Sequence, residues 1–308
     1  MAKYILKRLL MMLPVILGIS FLLFSIMNLT PGDPARLRLG EFATQEDVEK
    51  LREEMGLNEN FFIRYINYLK DAVRGDFGNS YNTNLPVMKD ILARFPVTLR
   101  LSFNGICLAV LIGIPVGIIS AVKQYTIVDT TSLILALLLA AMPVFWLGLI
   151  LILVFSLKLD LLPSNGIDTW IHYILPSLTL SATSIATLIR MTRSTMLEVI
   201  RQDYIRTAKA KGANERRIVF KHALRNALLP VVTVIGINFG VLLGGAVVVE
   251  SVFGIPGLGT LMINAVKMKD TPTVMASIMF AAMLAGVVNL AVDILYTYID
   301  PRVKTQYL

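Results

Sequence analysis

The sequence predicts an all-α integral membrane protein with six transmembrane helices. Of its 308 residues, 56% are hydrophobic and only 16% are charged, and the mean hydropathy is +0.69. A water-soluble domain has about a quarter of its residues charged, so this composition favours a membrane protein. Long uncharged windows alternate with short charged stretches, as expected when hydrocarbon excludes charges from the spans and water receives them in the loops.

Six apolar stretches define the predicted spans, because about 20 apolar residues in a helix are needed to cross a bilayer. They run from about 9 to 29, 97 to 121, 131 to 157, 171 to 189, 229 to 249 and 274 to 299. Residues 1–29 would hold a short N-terminus and the first span, residues 97–299 the transmembrane core, and residues 300–308 a tail.

The first apolar stretch could be a secretory signal peptide or a retained anchor. No small-x-small cleavage site follows it in Met27–Pro31, so we predict an anchor. Lys3, Lys7 and Arg8 precede it, which places the N-terminus in the cytoplasm. Pro31 and Pro34 would end the helix, since proline cannot continue one.

Residues 30–96 are polar and predict a small helical domain outside the cytoplasm. Thr44 and Asp47 have the spacing of a capping box, and Gly56 is placed to end the short helix that they begin. A second short helix centres on Tyr65. The rule that Lys and Arg concentrate in cytoplasmic loops holds for short loops, so the basic residues of this longer domain do not place it in the cytoplasm.

Spans two and three and the turn between them contain three residues that bear on helix shape and polarity. Arg100 lies near the outer end of span two, where its head group is expected to reach the interface. Lys123 lies in the short turn after span two and is therefore expected on the cytoplasmic side. Pro143 falls within span three and predicts a kink, because it removes a backbone hydrogen bond.

Span four is rich in hydroxyl side chains. Ser177, Ser181 and Ser184 share one helical face, and a threonine stripe that includes Thr183 shares another. The serine face could line a polar translocation path, or its small residues could let helices pack closely. The sequence leaves both interpretations open.

Span five carries glycines at Gly236, Gly240 and Gly244, a spacing that leaves one helix face without side chains and predicts close helix packing. Within the six predicted spans the only acid is Asp293, and no buried histidine, glutamate or lysine is expected in any of them. An ion-coupled carrier usually holds carboxylates or broken helices at the bilayer midplane. The pattern therefore disfavours a carrier that works alone.

No catalytic centre or metal site is predicted. Walker A, HExxH and GxSxG patterns are absent from the sequence, so no nucleotide-binding loop or familiar hydrolase centre is indicated. The single cysteine, Cys107, cannot form an internal disulfide. His172 and His222 fall on opposite sides of the predicted membrane and cannot share a metal. We expect no enzymatic activity and no cofactor bound by this chain.

The basic charge is concentrated in one loop. Residues 190–225 hold ten Lys/Arg and three acids, which accounts for +7 of the net +8. A basic loop between apolar spans is typical of the cytoplasmic side, and this explanation removes the argument for a nucleic-acid partner. Arg302 and Lys304 in the tail then also fall in the cytoplasm. Both termini are thus predicted to be cytoplasmic.

The same loop predicts two helices outside the membrane. Met196, Ile200, Tyr204 and Ala208 recur at intervals of four and predict one amphipathic helix that stops before Gly212. A second short helix is expected from about 214 to 222. Such a pair could dock on a soluble partner or lie on the lipid surface, and spacing alone does not decide between them.

Residues of this loop resemble a known motif. The stretch Asp203–Gly212, DYIRTAKAKG, continued by His222–Pro230, HALRNALLP, is similar to the cytoplasmic coupling loop of binding-protein-dependent ABC importers. That loop follows an EAA-x3-G pattern that ends in I-x-L-P. The resemblance extends over nearly the whole chain through Lys7–Leu10, Thr30–Pro34, Gly75–Gly78 and Glu250–Gly259.

The motif carries over residue by residue with clear departures. Arg206, Thr207 and Ala208 occupy the EAA positions, Gly212 is the motif glycine, and Leu229 with Pro230 is the closing pair. Two of the three EAA residues are replaced, alanine stands where the isoleucine would be, and the closing pair comes five residues late. These departures resemble the dipeptide, oligopeptide and nickel branch of the family.

The resemblance implies a type I importer permease fold and a set of partners. This chain would be the "B" permease, paired in the lipid membrane with a "C" permease, two ABC ATPase subunits and an external solute-binding protein. The ATPases would use ATP and Mg²⁺, and the coupling loop 190–228 would seat on them. The outer loop that includes Glu250, Gly254, Pro256 and Gly257 would face the binding protein, or would be a plain Gly/Pro-rich connector.

The expected function is import of di- or oligopeptides through the cytoplasmic membrane of a bacterium or archaeon. Nickel or a nickel chelate is the alternative substrate, because the same branch serves it. An ion-coupled carrier and a membrane protein that transports nothing are the remaining alternatives from other classes. Both would need no ATPase.

Overall fold

The structure is a computed structural model that describes residues 2–29, 32–40 and 42–299. Pro31, which was expected to end the first helix, lies outside the described residues. The predicted tail at 300–308, with Arg302 and Lys304, also lies outside them.

The described residues form an all-helical chain whose only β-type pairing is a bridge between Asn79 and Pro86. In chain order the helices are α1 (Ala2–Leu29), α2 (Pro34–Leu39), α3 (Gln45–Glu54), α4 (Phe61–Val73), α5 (Val87–Val122), α6 (Ile127–Ala141), α7 (Val144–Leu151), α8 (Ile174–Ile200), α9 (Asp203–Ala210), α10 (Glu215–Arg217), α11 (Leu224–Val252), α12 (Leu258–Lys267) and α13 (Thr271–Ile299). A π-helical segment, Ile152–Lys158, extends α7, and another, Ile218–Ala223, joins α10 to α11.

Five helices of the described chain are long and apolar enough to span a membrane, and a sixth span results if the bent pair α6 and α7 counts as one. The predicted fold class is confirmed. Most helices begin before the predicted span, and α5 starts at Val87 rather than near residue 97. Hydropathy detects only the apolar part of a helix, whereas backbone hydrogen bonding continues into the polar flanks.

The predicted kink in span three is a full break. The axes of α6 and of the helical stretch Val144–Lys158 differ by 105°. Pro143 caps α7, and Met142 beside it is extended at ψ 128°. Proline disfavours the helical conformation in the residue before it and lacks an N–H, so the helix stops here instead of bending.

The described residues divide into two compact units. The core unit is Thr98–Ile255 with the chain from Val287 on, and the flanking unit is Ala2–Val97 with Pro256–Gly286. In the core unit α8 is the central helix and packs against α6, α7 and α11. Its small hydroxyl and alanine residues are buried there, which agrees with close helix packing.

Two glycines of α5 allow that helix to lie directly against α8. A Cβ at Gly113 would come 2.7 Å from the Leu188 Cβ, and one at Gly117 would come 2.8 Å from the Ile189 carbonyl oxygen. Real side-chain atoms cannot approach so closely. This glycine pair was not recognised in the sequence, although its four-residue spacing is the signal that marked span five.

The flanking unit packs helices of the polar domain on the first span. Phe21 and Phe24 of α1 contact Phe61 of α4 at ring centroid distances of 6.0 and 5.3 Å. The predicted cap is present, since the Thr44 hydroxyl accepts a hydrogen bond from the Asp47 N–H at 3.2 Å. The helix α2 was not predicted, because six residues are too few to show a hydrophobic period.

A buried carboxylate fixes one loop of the flanking unit. Asp270 accepts hydrogen bonds from the Ser80 hydroxyl at 2.5 Å, the Tyr81 N–H at 3.1 Å and the Thr273 hydroxyl at 2.9 Å. Burial, and then the charge of this carboxylate, raise the pKa of Tyr81 to about 12. The loop before α5 is thereby tied to the start of α13.

Candidate functional site

The candidate site is the loop between α8 and α11, where the coupling motif was found. The expected single helix from Met196 to Ala208 is wrong, because α8 ends at Ile200 and α9 begins at Asp203. Because of this break, the side chains of α9 that are buried are not the ones that the spacing of four predicts. Ile205 is fully buried on α9, whereas Tyr204 is 42% exposed. Apolar residues spaced four apart share a helix face only within one continuous helix, so the spacing across the break between α8 and α9 does not indicate which side chains lie together.

Gly212 ends α9 in the manner predicted. Its φ is +80°, a left-handed conformation that favours glycine. The Gly212 N–H donates to the Lys209 carbonyl at 2.9 Å, and the Ala213 N–H donates to the Ala208 carbonyl at 3.2 Å. This pair of bonds is a Schellman motif, which satisfies the last carbonyls of the helix. The glycine therefore sets the length of α9.

The second predicted helix of the loop is confirmed but does not end where expected. The Asn214 side chain accepts from the Arg217 N–H at 2.9 Å and begins α10, and the helical chain then continues from Glu215 to Val252. Leu229 and Pro230, the closing pair of the motif, lie inside this long helix. The π-helical turns at Ile218–Ala223 interrupt the α-helical hydrogen-bond pattern without ending the helix.

A buried apolar cluster holds α9 on the core unit. Ile205 packs with side chains from the end of α5, the end of α8 and the start of α11. The buried members are Ile118, Ala121, Met196, Ile205, Ile218, Ala223 and Ala227. The Asn226 amide also donates to the Tyr204 hydroxyl at 2.7 Å. The cluster therefore connects α9 to three membrane-spanning helices.

The outer surface of α9 is polar and basic. Arg206 has 81% of its side chain exposed, and its one ion pair within the described residues is a long contact of 3.6 Å with Asp203. Thr207 and Lys209 are exposed and Ala208 is half-buried. A Cβ added at Gly212 would meet no atom of the described residues within 4 Å. α9 therefore has one buried anchor, Ile205, and an exposed charged face.

The serines considered for a path lie inside the core unit. Ser177, Ser181 and Ser184 are between 0% and 4% exposed, and the Ser181 hydroxyl donates to the Leu178 carbonyl at 3.0 Å. This placement supports the packing alternative over the path alternative. The threonine stripe differs, because Thr183 is exposed.

The three glycines of span five are not equivalent. A Cβ at Gly236 would collide with the Val292 side chain of α13, whereas one at Gly240 would be 3.8 Å from Val288. A Cβ at Gly244 would have no neighbour within 4 Å in the described part of the chain. Close packing is therefore found at the first of the three positions.

The loop after α11 is only partly available to a partner. Glu250 is fully buried and accepts a hydrogen bond from the Thr98 hydroxyl at 2.6 Å, so its expected outward-facing position is wrong. Gly254 is exposed with φ +61°. Pro256 is exposed and Gly257 is buried. Glu250 lies in the last turn of α11. A buried carboxylate there needs a hydrogen-bond donor, and the Thr98 hydroxyl is one.

Two acids that sequence reasoning placed outside the spans lie within helices. Glu250 belongs to α11, and Asp129 belongs to α6. Asp129 is 3% exposed and forms a bidentate ion pair with Arg193 of α8 at 2.6 and 2.8 Å. The Ser120 hydroxyl of α5 donates to the same carboxylate at 2.6 Å. In the sequence both charges lie just beyond the ends of apolar runs, but nothing there indicates that they pair with each other.

The described residues contain no group of three or more His, Cys, Asp or Glu side chains that could hold a metal. A rigid anchor, an exposed helix and a buried ion pair can transmit force, but they bring no nucleophile and base together.

Replacing Gly212 with valine is expected to unwind the end of α9. A β-branched side chain in the left-handed region costs about 1–2 kcal/mol, and the site offers no compensating contact among the described residues. Amide hydrogen exchange over residues 203–213 should become several-fold faster, since about 1.4 kcal/mol corresponds to a tenfold change in an opening equilibrium.

Gly212→Asn is the matched control, because asparagine tolerates the left-handed conformation better than other side chains. It should leave the exchange of α9 near that of the unmodified chain. Equal protection in the valine and asparagine variants would contradict the assignment of Gly212 as a conformational stop.

Comparison with known proteins identifies relatives along the whole chain. Residues 113–305 match the family described as "Binding-protein-dependent transport system inner membrane component", and residues 1–102 match the corresponding N-terminal family. The glutathione transport system permease protein GsiC of Escherichia coli strain K12 is 43% identical over 304 residues, which are 99% of each chain. GsiC of Shigella dysenteriae has the same identity and coverage.

Solved structures show the same fold. The MetNI methionine ABC transporter in an inward-facing conformation has a chain that matches with a TM-score of 0.59 and 22% identity, over 69% of this chain and 97% of that one. A chain of an amino acid ABC transporter matches with a TM-score of 0.53 and 16% identity, over 70% of this chain and 94% of that one. At these identities the likeness concerns the fold alone.

Proposed function

The chain belongs to the family of binding-protein-dependent transport system inner membrane components, the permease subunits of ABC importers, and on that premise we propose that it imports di- or oligopeptides. The observation that carries the substrate proposal is the 43% identity to a glutathione permease over 99% of both chains. Glutathione is a tripeptide, so that relative supports a small peptide as cargo.

The proposed mechanism places α9 in a cleft of an ABC ATPase subunit. Closure of two ATPase subunits around ATP would move α9, and the buried cluster around Ile205 would carry that motion into α5, α8 and α11. A second permease subunit would complete the path, and an external binding protein would deliver the peptide. In this orientation both termini and α9 lie in the cytoplasm.

Uptake measurements test the substrate. Cells that lack this gene and other peptide importers are compared with complemented cells for uptake of labelled dipeptide, glutathione, pentapeptide and nickel. The proposal predicts that complementation restores uptake of at least one peptide and leaves nickel uptake unchanged. Restoration of nickel uptake alone would overturn the peptide substrate.

A complemented strain that carries Arg206→Glu on α9 provides the energy-coupling control. Because Arg206 is exposed, its reversal should preserve the protein in the membrane while peptide uptake falls at least about tenfold, as for a loss of about 1.4 kcal/mol in binding of an ATPase partner. Full uptake in this strain would contradict the role of α9.

A further inference from the structure

One face of α8 combines exposure with polarity. Thr183, Thr187, Arg190 and Ser194 follow one another at intervals of four, three and four residues, which places them on one side of a helix. Thr183, Arg190 and Ser194 are exposed, and Thr187 is half-buried. We call this set the polar stripe. Thr179 lies one turn before Thr183 on the same side of α8, but it is buried against Gly148 of α7. The exposed stripe therefore starts at Thr183.

The polar stripe differs from the exposed faces of other spans in the core unit. Those faces are apolar: Leu111 of α5, Leu135 of α6 and Val241 of α11 are 70%, 58% and 62% exposed. Side chains of that kind can face lipid. In an 18-residue apolar stretch of the candidate span that contains α8, 67% of the residues are buried within the chain. The stripe is the side of α8 that remains open.

Arg190 makes lipid an unfavourable neighbour for the stripe. Within the described part of the chain Arg190 forms no hydrogen bond and no ion pair, while Arg193, three residues on, is neutralised by Asp129. Arg190 lies ten residues before the end of α8 at Ile200, about 15 Å along the helix axis. A charged side chain on a membrane-spanning helix is normally found facing a water-filled cavity or a binding partner.

We propose that the polar stripe lines the water-filled translocation path and that Arg190 favours cargo with a carboxylate. This inference rests on the proposed function and names the side of the chain that the cargo passes. An arginine pairs a carboxylate in a bidentate manner, and a peptide carries one at its C-terminus. Thr187 donates its hydroxyl to the Thr183 carbonyl at 2.9 Å, which leaves its oxygen lone pairs for water.

Three other charged residues lie beside the stripe. Arg193 and Asp129 form the closed pair described above, and Glu198 is exposed one turn beyond Ser194. The positive charge of Arg190 therefore dominates the middle of the stripe, and the negative charge lies toward its end. A passing anion would meet the favourable site at Arg190.

Cysteine labelling tests the path without knowledge of the cargo. Cys107 is replaced by alanine, and single cysteines are placed at Thr183, Thr187 and Ser194 in the assembled transporter in proteoliposomes. Hydrophilic methanethiosulfonate reagents, one anionic and one cationic, are applied with and without ATP. Val241→Cys is the control for an exposed apolar face and Ser184→Cys for a buried one.

The stripe cysteines should react at least about tenfold faster than both controls in one of the two states, because thiolate chemistry needs water and reagent access. At Thr187→Cys the anionic reagent should be favoured, and Arg190→Gln should reduce that preference about tenfold. Reaction as slow as at Val241→Cys would overturn the path, and a preference unchanged by Arg190→Gln would overturn the role of Arg190.

The same preparation separates this inference from the proposed function. Uptake of a labelled dipeptide is compared with uptake of its C-terminal amide, and the free carboxylate should be preferred only when Arg190 is present. Rapid labelling in a transporter that moves no peptide would support the path and contradict the peptide substrate. Peptide uptake with slow labelling would support the peptide substrate and contradict the assignment of the polar stripe to the path.

Discussion

Replacing Arg193 with alanine is expected to destabilise the core unit more than replacing an exposed arginine such as Arg201. The change leaves the buried Asp129 carboxylate without its bidentate partner, with the Ser120 hydroxyl and the Tyr125 N–H as its remaining donors. Removing one member of a buried pair costs about 3–5 kcal/mol. Thermal unfolding of the purified protein in detergent should show a large fall in Tm.

Two variants identify the cause of that loss. Arg201→Ala removes an exposed arginine just past the end of α8 and should leave the Tm unchanged. The double variant Asp129→Asn with Arg193→Met removes both charges and should recover part of the stability, because no buried charge of this pair remains unpaired. An Arg193→Ala variant as stable as Arg201→Ala would contradict the structural role of the pair.

Replacing Gly117 with alanine is expected to separate α5 from α8. The added Cβ would lie 2.7 Å from the Thr192 Cβ and 2.8 Å from the Ile189 carbonyl oxygen. The carbonyl belongs to the backbone and can move only if the helix moves. Overpacking of this kind costs about 1–3 kcal/mol, and we expect a lower Tm and less protein in the membrane.

Gly244→Ala is the matched control, since no atom of the described chain lies within 4 Å of the added carbon. Alanine has the higher helix propensity, so this variant should be as stable as the unmodified chain or slightly more so. A Gly117→Ala variant that matches Gly244→Ala in Tm would show that the two helices are not in close contact.

Sequence reasoning predicted the spans well because hydropathy reports a local property. A bend at Pro143, the cap at Thr44 and the turn at Gly212 were also predictable, since each depends on the conformational preferences of one or two residues. The helix ends were wrong. Continuation of α5 back to Val87 and of α8 on to Ile200 depends on tertiary packing, which hydropathy does not measure.

The contacts of the site needed the structure. Whether Ile205 or Tyr204 is buried depends on a two-residue break after α8 that shifts the helix phase. The pair of Asp129 with Arg193 joins residues far apart in the chain, and a single sequence carries no signal that they meet. Burial of the three serines and exposure of the neighbouring stripe likewise follow from which helices cover α8.

We propose that α9 connects this permease to an ABC ATPase. The most direct measurement is co-purification of the ATPase in mild detergent with three forms of the chain: unmodified, Arg206→Glu on α9, and Lys123→Glu on the turn between α5 and α6. Both lysine and arginine are exposed, so neither reversal should disturb the fold. We predict ATPase with the unmodified and Lys123→Glu forms and its loss with Arg206→Glu; equal ATPase recovery in all three forms, or none in any, would contradict the account.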